Sequence, residues 1–315
     1  GANANGAGTV ALGLSANATG TNAVALGGGS NGGTNKTEAT AANTTAIGFN
    51  AKASKSGAAA IGSGAKASGS DSISFGTDTV ADSEKAIAIG AGSKATNIGA
   101  TALGRSSAAT AASATAVGSL ASATGTTATA VGIEASASGA ESLAIGKTAS
   151  ATSGRALAVG TNAKATGASS VAVGSGAGNS GPLGFASSIN SLGSVVNSLK
   201  TINYATTAEG DYAVALGVYA NAKNSGVAVG QNALAATGGV AIGKGVLEDT
   251  GNNLAGGVAI GQDSASTGAY SLAMGRHAFA SGSTSMAMGY EASANGNFAV
   301  AMGRNVTATG TSTAI

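Results

Sequence analysis

Residues 44–70 read TTAIGFNAKASKSGAAAIGSGAKASGS, with Ala-Ile-Gly ending at Gly48 and again at Gly62. The same phrase, small–apolar–Ala–apolar–Gly, ends at Gly13 and Gly27, at every fourteenth residue from Gly48 to Gly174, and again from Gly217 to Gly303. Aligned on those glycines, the preceding position is large and apolar (Ile47, Ile61, Phe75, Ile89, Leu103, Val117), and the position before that is small (Ala46, Ala60, Ser74, Ala88, Ala102, Ala116). Large–small–large alternation has a period of two and predicts a short strand. Five residues after each glycine stands alanine (Ala53, Ala67, Ala81, Ala95), flanked by Lys52, Lys66 or Lys94 on one side and by serine or threonine on the other. This predicts a second strand, with glycine at the corner where the backbone needs positive φ or close approach.

Each 14-residue unit is therefore strand, corner, strand, corner, and stacked units predict an all-β, two-sided β-solenoid, a flattened parallel β-roll. On this reading Ile47 and Ile61 fill the roll, Ala53 and Ala67 face them, and Lys52 and Lys66 point outward. The alanines at 46, 60, 88, 102, 116, 130, 144, 158 and 172 then face away from the interior. A flat, small, uncharged face repeated for ten turns suits contact with another such sheet, so Ala46, Ala60, Ala88, Ala102, Ala116, Ala130, Ala144, Ala158 and Ala172 are expected to form a homo-oligomer interface.

Composition agrees with a repeat protein rather than an ordinary globule. The 315 residues include 53 glycines, one proline and no tryptophan, with 3% aromatic and 9% charged residues. The chain is 43% hydrophobic, which separates it from disordered sequences. A net charge of +2 gives no electrostatic reason to expect a nucleic-acid partner. Cysteine is absent, which removes disulfides and thiolate chemistry.

Three interruptions divide the array. The predicted organisation is β-roll over residues 1–174 with a polar loop at about 28–41, an insert over 175–211, and further β-roll over 212–315 with a bulge at about 244–257. The last turn is expected to be truncated mid-repeat, with any anchor outside this stretch. Within the large insert, Phe185, Ile189, Leu192, Val196 and Leu199 fall at alternating four- and three-residue spacing, which predicts a short amphipathic helix over about 185–201. Its apolar stripe packs on its own roll or bridges to a neighbouring subunit.

The phrases AVALG, SVAVG, SLAIG, GVAIG, SLAMG and SMAMG at 14-residue spacing resemble the YadA-like head of trimeric autotransporter adhesins. The resemblance implies a left-handed parallel β-roll, three chains about a common axis, and display on the bacterial cell surface at the outer membrane. It also implies a stiff trimeric rod that adheres through many weak contacts to matrix proteins such as collagen, to host cells or to abiotic surfaces. Membrane attachment would come only through an anchor outside this stretch.

Nothing in the sequence assembles a catalytic centre. His277 is the single histidine, so one chain cannot build a histidine metal cluster or a Ser-His-Asp triad. The Gly-x-Gly pairs lie at roll corners with no helix after them, which excludes phosphate loops. The expectation is no enzyme, no metal and no cofactor. Candidate binding features are the lysines at 52, 66, 94 and 164 (Lys52, Lys66, Lys94, Lys164) and the corner at Arg276, Tyr290 and Arg304, where a cation–π stack is expected. Glu141 and Arg155, and Asp71 and Lys85, share columns one turn apart and are expected to pair. The alternative functions are an ice-binding solenoid, suggested by the threonines at 96, 110 and 124, and a purely structural spacer.

Overall fold

In a computed structural model of the chain, residues 1–29, 35–175, 205–248 and 256–315 are described. They fall into two compact units, Gly1–Ala156 and Leu157–Ile315.

In the first unit, three-residue strands such as Thr101–Leu103 alternate with two-residue strands such as Ala108–Ala109. Each strand pairs in parallel with its counterpart one turn away: Ala88 with Ala102, Ala102 with Ala116, and Ala95 with Ala109. The three-residue strands form a wide sheet and the two-residue strands a narrow one, as expected of a parallel β-solenoid. No helix occurs among the described residues.

Every coil has two corners built alike. The amide of Ala51 donates to the carbonyl of Gly48 at 3.3 Å, and that of Ala58 to the carbonyl of Lys55 at 3.0 Å. The third residue of each four-residue turn is left-handed, Asn50 at φ 57° and Gly57 at φ 73°. A positive φ at that position is what a type II turn requires. Glycine closes the wide strand for a second reason. A Cβ on Gly48 would lie 2.5 Å from the carbonyl oxygen of Gly62 in the next turn, so stacking itself excludes a side chain there.

The interior differs from the sequence-based assignment. Thr44, Ala46, Ala51, Ala53, Ala58, Ala60, Ala65 and Ala67 are all buried, so the buried pattern is small–x–small every seven residues. Ile47 and Ile61 lie on the outer surface and are only half-buried. The alanines at 46, 60, 88, 102, 116, 130 and 144, and Ala158 and Ala172 in the second unit, have 0% exposure within their own roll. They are core residues and cannot meet another subunit. The physical reason is thickness. Corners of four residues hold the two sheets so close that facing positions take mainly alanine and serine, with threonine and Val246 the largest buried, and the larger residues are excluded to the outside.

Hydroxyls that enter this core are satisfied locally. Ser72, Ser107 and Ser142 donate to the carbonyls three residues earlier, at 2.7, 2.9 and 2.7 Å. Ser74 and Thr79 bond to each other at 2.7 Å. Ser93 Oγ is buried with no partner, in a column where alanine is common.

The second unit repeats the plan. Val171–Val173 pairs with Val214–Leu216 and Lys164–Ala165 with Thr207–Ala208, so the chain leaves the roll after residue 175 and rejoins with register intact. The rejoining point is buried Thr206, whose hydroxyl donates to Gly217 O at 2.7 Å. In the first unit Thr37 does the same after the polar loop, donating to Gly48 O at 2.6 Å. Both insertions thus enter after the corner glycine and are closed by the same threonine bond. The helix expected over about 185–201, and parts of the loop at about 28–41 and the bulge at about 244–257, lie outside the described residues. Three turns in this unit are 13 residues long, yet Val214, Val227 and Val240 remain paired, as do Val300 and Thr313; the corner after the narrow strand absorbs the missing residue.

The thin interior has a direct consequence for stability. Ala102→Leu should destabilise by about 1–3 kcal/mol or more through overpacking. Ser93→Ala should be neutral or stabilising by about 1 kcal/mol, because it removes an unpaired buried hydroxyl. Denaturant unfolding of the two variants, compared through their midpoints, checks both signs.

Candidate functional site

With the alanines inside, the outward face of the wide sheet consists of the large residues. In the first unit one column runs through Ile47, Ile61, Phe75, Ile89, Leu103, Val117, Val131 and Ile145, and a parallel one through Ile73, Ile87, Thr101, Thr115, Thr129 and Leu143. No charged residue interrupts either column. Each side chain is covered above and below by its neighbours in the ladder, yet Ile73 and Phe75 keep 41% and 51% of their surface exposed, so the face itself is uncovered. The second unit continues the pattern with Val173, Ile242, Met274 and Met302 exposed, and all four methionines of the chain (Met274, Met286, Met288, Met302) stand on this face. A contiguous apolar surface of this extent marks a contact site. Column size alone could have found it: the columns that vary among Ile, Val, Leu, Phe and Met cannot lie in so thin a core.

The lysines do not form one cationic patch. Lys52 and Lys66 are register neighbours, but Lys52 faces Glu38 at 3.6 Å and Lys66 faces Asp82 at 2.8 Å. Lys94 lies between Val80 and Ala108, and Lys164 beside Thr207, both exposed. Sequence columns do not reveal that carboxylates on adjacent turns neutralise two of the four. Of the two expected ladder pairs, Arg155 and Glu141 meet at 3.1 Å. Lys85 instead pairs with its neighbour Glu84 at 2.9 Å, and the Glu84 hydrogen bond and charge hold the Lys85 ammonium above its usual pKa, with Asp71 a minor contributor.

The corner at residues 276–304, within the second unit, does assemble. The guanidinium carbon of Arg276 lies 5.8 Å from the Tyr290 ring centre, and that of Arg304 lies 5.5 Å from it. His277 meets the same ring edge-on at 6.2 Å. The stack follows from the register: residues one after the corner glycines Gly275, Gly289 and Gly303 superimpose turn on turn. Cations over an aromatic face gain about 0.5–1 kcal/mol at exposed sites.

The second unit also carries aromatics in an unusual backbone state. Tyr212, Tyr219, Tyr270 and Phe298 have φ of 58°, 59°, 56° and 59°. Tyr212, Tyr270 and Phe298 share one corner column and are 69%, 67% and 63% exposed. A bulky side chain in the left-handed region is strained, and here no burial offsets the strain. Among the described residues, no group of three or more acidic or histidine side chains is placed to hold a metal ion.

Comparison with known families gives one result. The pattern described as YadA head domain repeat (2 copies) matches residues 4–30, 39–65, 67–93, 95–121, 123–149 and 151–177. It matches again over 204–220, 208–233, 255–278 and 280–305. No curated protein matches the chain.

Strain at the aromatic corner is measurable. Tyr270→Gly should raise stability by about 0.5–1 kcal/mol, because glycine accepts the left-handed backbone and little packing is lost. The expected readout is a higher denaturant midpoint with an unchanged slope.

Proposed function

The chain belongs to the YadA head family, and from that premise we propose that it is the adhesive head of a trimeric autotransporter on the bacterial cell surface. Heads of this family in general form trimers, bind host surfaces, are displayed by cell-surface autotransporters and are non-enzymatic. The single observation that carries the reading for this chain is that the family repeat spans nearly all of it.

Assembly follows from the apolar face. Three copies bring their wide sheets together, with Ile89, Leu103, Val117 and Val131 among the contacts, and bury an uncharged surface that a lone chain leaves in water. Burial contributes roughly 25 cal/mol per Å² of apolar area. The narrow sheets and corners remain for surface contacts, each weak and each repeated in three chains, so avidity supplies the strength. Matrix proteins such as collagen, host cells and abiotic surfaces are the proposed targets. Catalysis has no part in this reading.

The test has two arms. Analytical ultracentrifugation should find a trimer at micromolar concentration. Ile89→Lys combined with Val117→Lys should shift the mass to monomer, because an unpaired ammonium in the contact costs several kcal/mol. Lys94→Ala, on the narrow sheet, should leave the mass unchanged. A binding panel of the purified chain over immobilised collagen, cultured cells and plastic should show retention that falls when the trimer is broken. No retention on any of them would remove the adhesive reading while leaving the assembly intact.

A further inference from the structure

We propose that the corner formed by Arg276, Tyr290 and Arg304 is a binding site for sulfated polysaccharide. The chain has four arginines, and two of them spend their donors on the protein. Arg155 binds Glu141 at 3.1 Å, and Arg105 reaches Ser119 Oγ at 3.3 Å. Arg276 and Arg304 have neither a carboxylate nor a hydrogen-bond acceptor within reach among the described residues; both are held by the face of Tyr290. A guanidinium held by a ring keeps its planar fork of N–H donors unused, and that fork matches the oxygens of a sulfate or carboxylate in bidentate fashion. Both arginines and Tyr290 are exposed at the corner, so an incoming chain reaches them without any opening of the roll.

Spacing and charge choose the class of ligand. Arg276 and Arg304 stand two turns apart, about 9.5 Å along the stack at the usual strand separation. That separation suits a polymer with one strongly anionic group on every second sugar of an extended chain. Tyr290 stands on the turn between, and His277, beside Arg276 and edge-on to the same ring, adds a second partner for sugar hydroxyls. Nucleic acid fits poorly. It presents a phosphate at every nucleotide and needs a continuous positive field, whereas the whole chain carries only +2 and the carboxylates Asp263 and Glu291 occupy positions along the same corner. Two discrete anions can be received between those carboxylates; a dense row of phosphates would press against them. This site does not depend on the adhesive reading and would exist in a protein with any other role.

The probe is immobilised chondroitin sulfate, which carries one sulfate on every second sugar, with surface plasmon resonance of the full chain at low and at physiological salt. Wild-type chain should bind, and more weakly as salt rises. Arg276→Gln and Arg304→Gln should each weaken binding about tenfold, and the double variant more, through loss of charge-assisted bonds. Tyr290→Leu should weaken it several-fold although it removes no charge, because the ring orders both guanidinium groups. Lys94→Gln with Lys164→Gln, equal in charge loss to the double arginine variant, should change affinity less than about twofold. Desulfated chondroitin should bind far more weakly than chondroitin sulfate. Unchanged melting and unchanged mass of each variant establish that only the site has altered. The proposal is overturned if wild-type chain does not bind chondroitin sulfate at low salt, or if the double arginine variant binds as wild type does. It is also overturned if single-stranded DNA binds more tightly than chondroitin sulfate and is lost in the same variants, which would assign the corner to nucleic acid. Dissociation of the assembly in the arginine variants would identify the pair as an intersubunit contact instead.

Discussion

The distance between the two sheets governs everything else in this fold. A coil of two strands joined by two four-residue turns leaves an interior one small side chain deep from each side. Ala46, Ala53, Ala60 and Ala67 fill it at 0% exposure, and the largest side chains fully buried among the described residues are Val246 and a few threonines. The usual logic of a protein core, bulky side chains in and small ones out, is inverted by geometry. Stability then comes from continuous parallel backbone pairing and from many tightly packed methyl groups, each of modest value. The bulky residues, expelled to the wide sheet's outer face, leave a single chain with an apolar surface that only association can cover. A thin core and an uncovered apolar face are therefore two expressions of one constraint.

The corners follow from the same geometry. Stacking at strand spacing brings Gly48 against the carbonyl of Gly62, which leaves no room for a side chain at the glycine column. One or two residues further on, the backbone is left-handed but the side chain points into solvent, so any residue that tolerates the strain is sterically permitted. Asparagine, aspartate and glycine accept it readily. Tyr212, Tyr270 and Phe298 do not, and they are present anyway. Two of the three insertions obey the same rule: the loop before Thr37 and the segment before Thr206 leave at a corner and return through a threonine bonded to the next corner glycine.

Much of this was legible from residues alone, and the part that was not has a clear cause. The 14-residue period, the corner glycines, the two strands and the parallel stacking follow from spacing. So does the Arg276–Tyr290–Arg304 stack, because equal offsets from the glycine become neighbours in space. The inside and outside of the wide strand were exchanged, since alternation locates two faces without saying which one is buried. The missing signal was present as a seven-residue recurrence: Thr44 and Ala46, Ala51 and Ala53, Ala58 and Ala60 are the same small–x–small pair on alternate sheets. A column confined to alanine, serine and threonine is under a size limit, whereas one that varies from valine to phenylalanine is not. The lysine row failed for a different reason. Glu38 stands directly beside Lys52 in the same column but is displaced from the glycine alignment by the loop after Gly27, and Lys66 is answered by Asp82 from a neighbouring column one turn on.

An interior that tolerates so little variation forces functional difference to the surface, and the surface is not uniform. The second unit places all four methionines on its wide face. Methionine is flexible and polarizable, so a face rich in it adapts its packing to a partner where branched residues would demand one fit. The same unit carries the strained aromatics and the unpaired arginines, while the left-handed corner positions of the first unit carry mainly asparagine, aspartate, serine, threonine and glycine. Both units repeat one backbone plan and one core. What distinguishes them is the set of positions that neither stacking nor core size restricts, and those are the positions where recognition can be built without altering the fold.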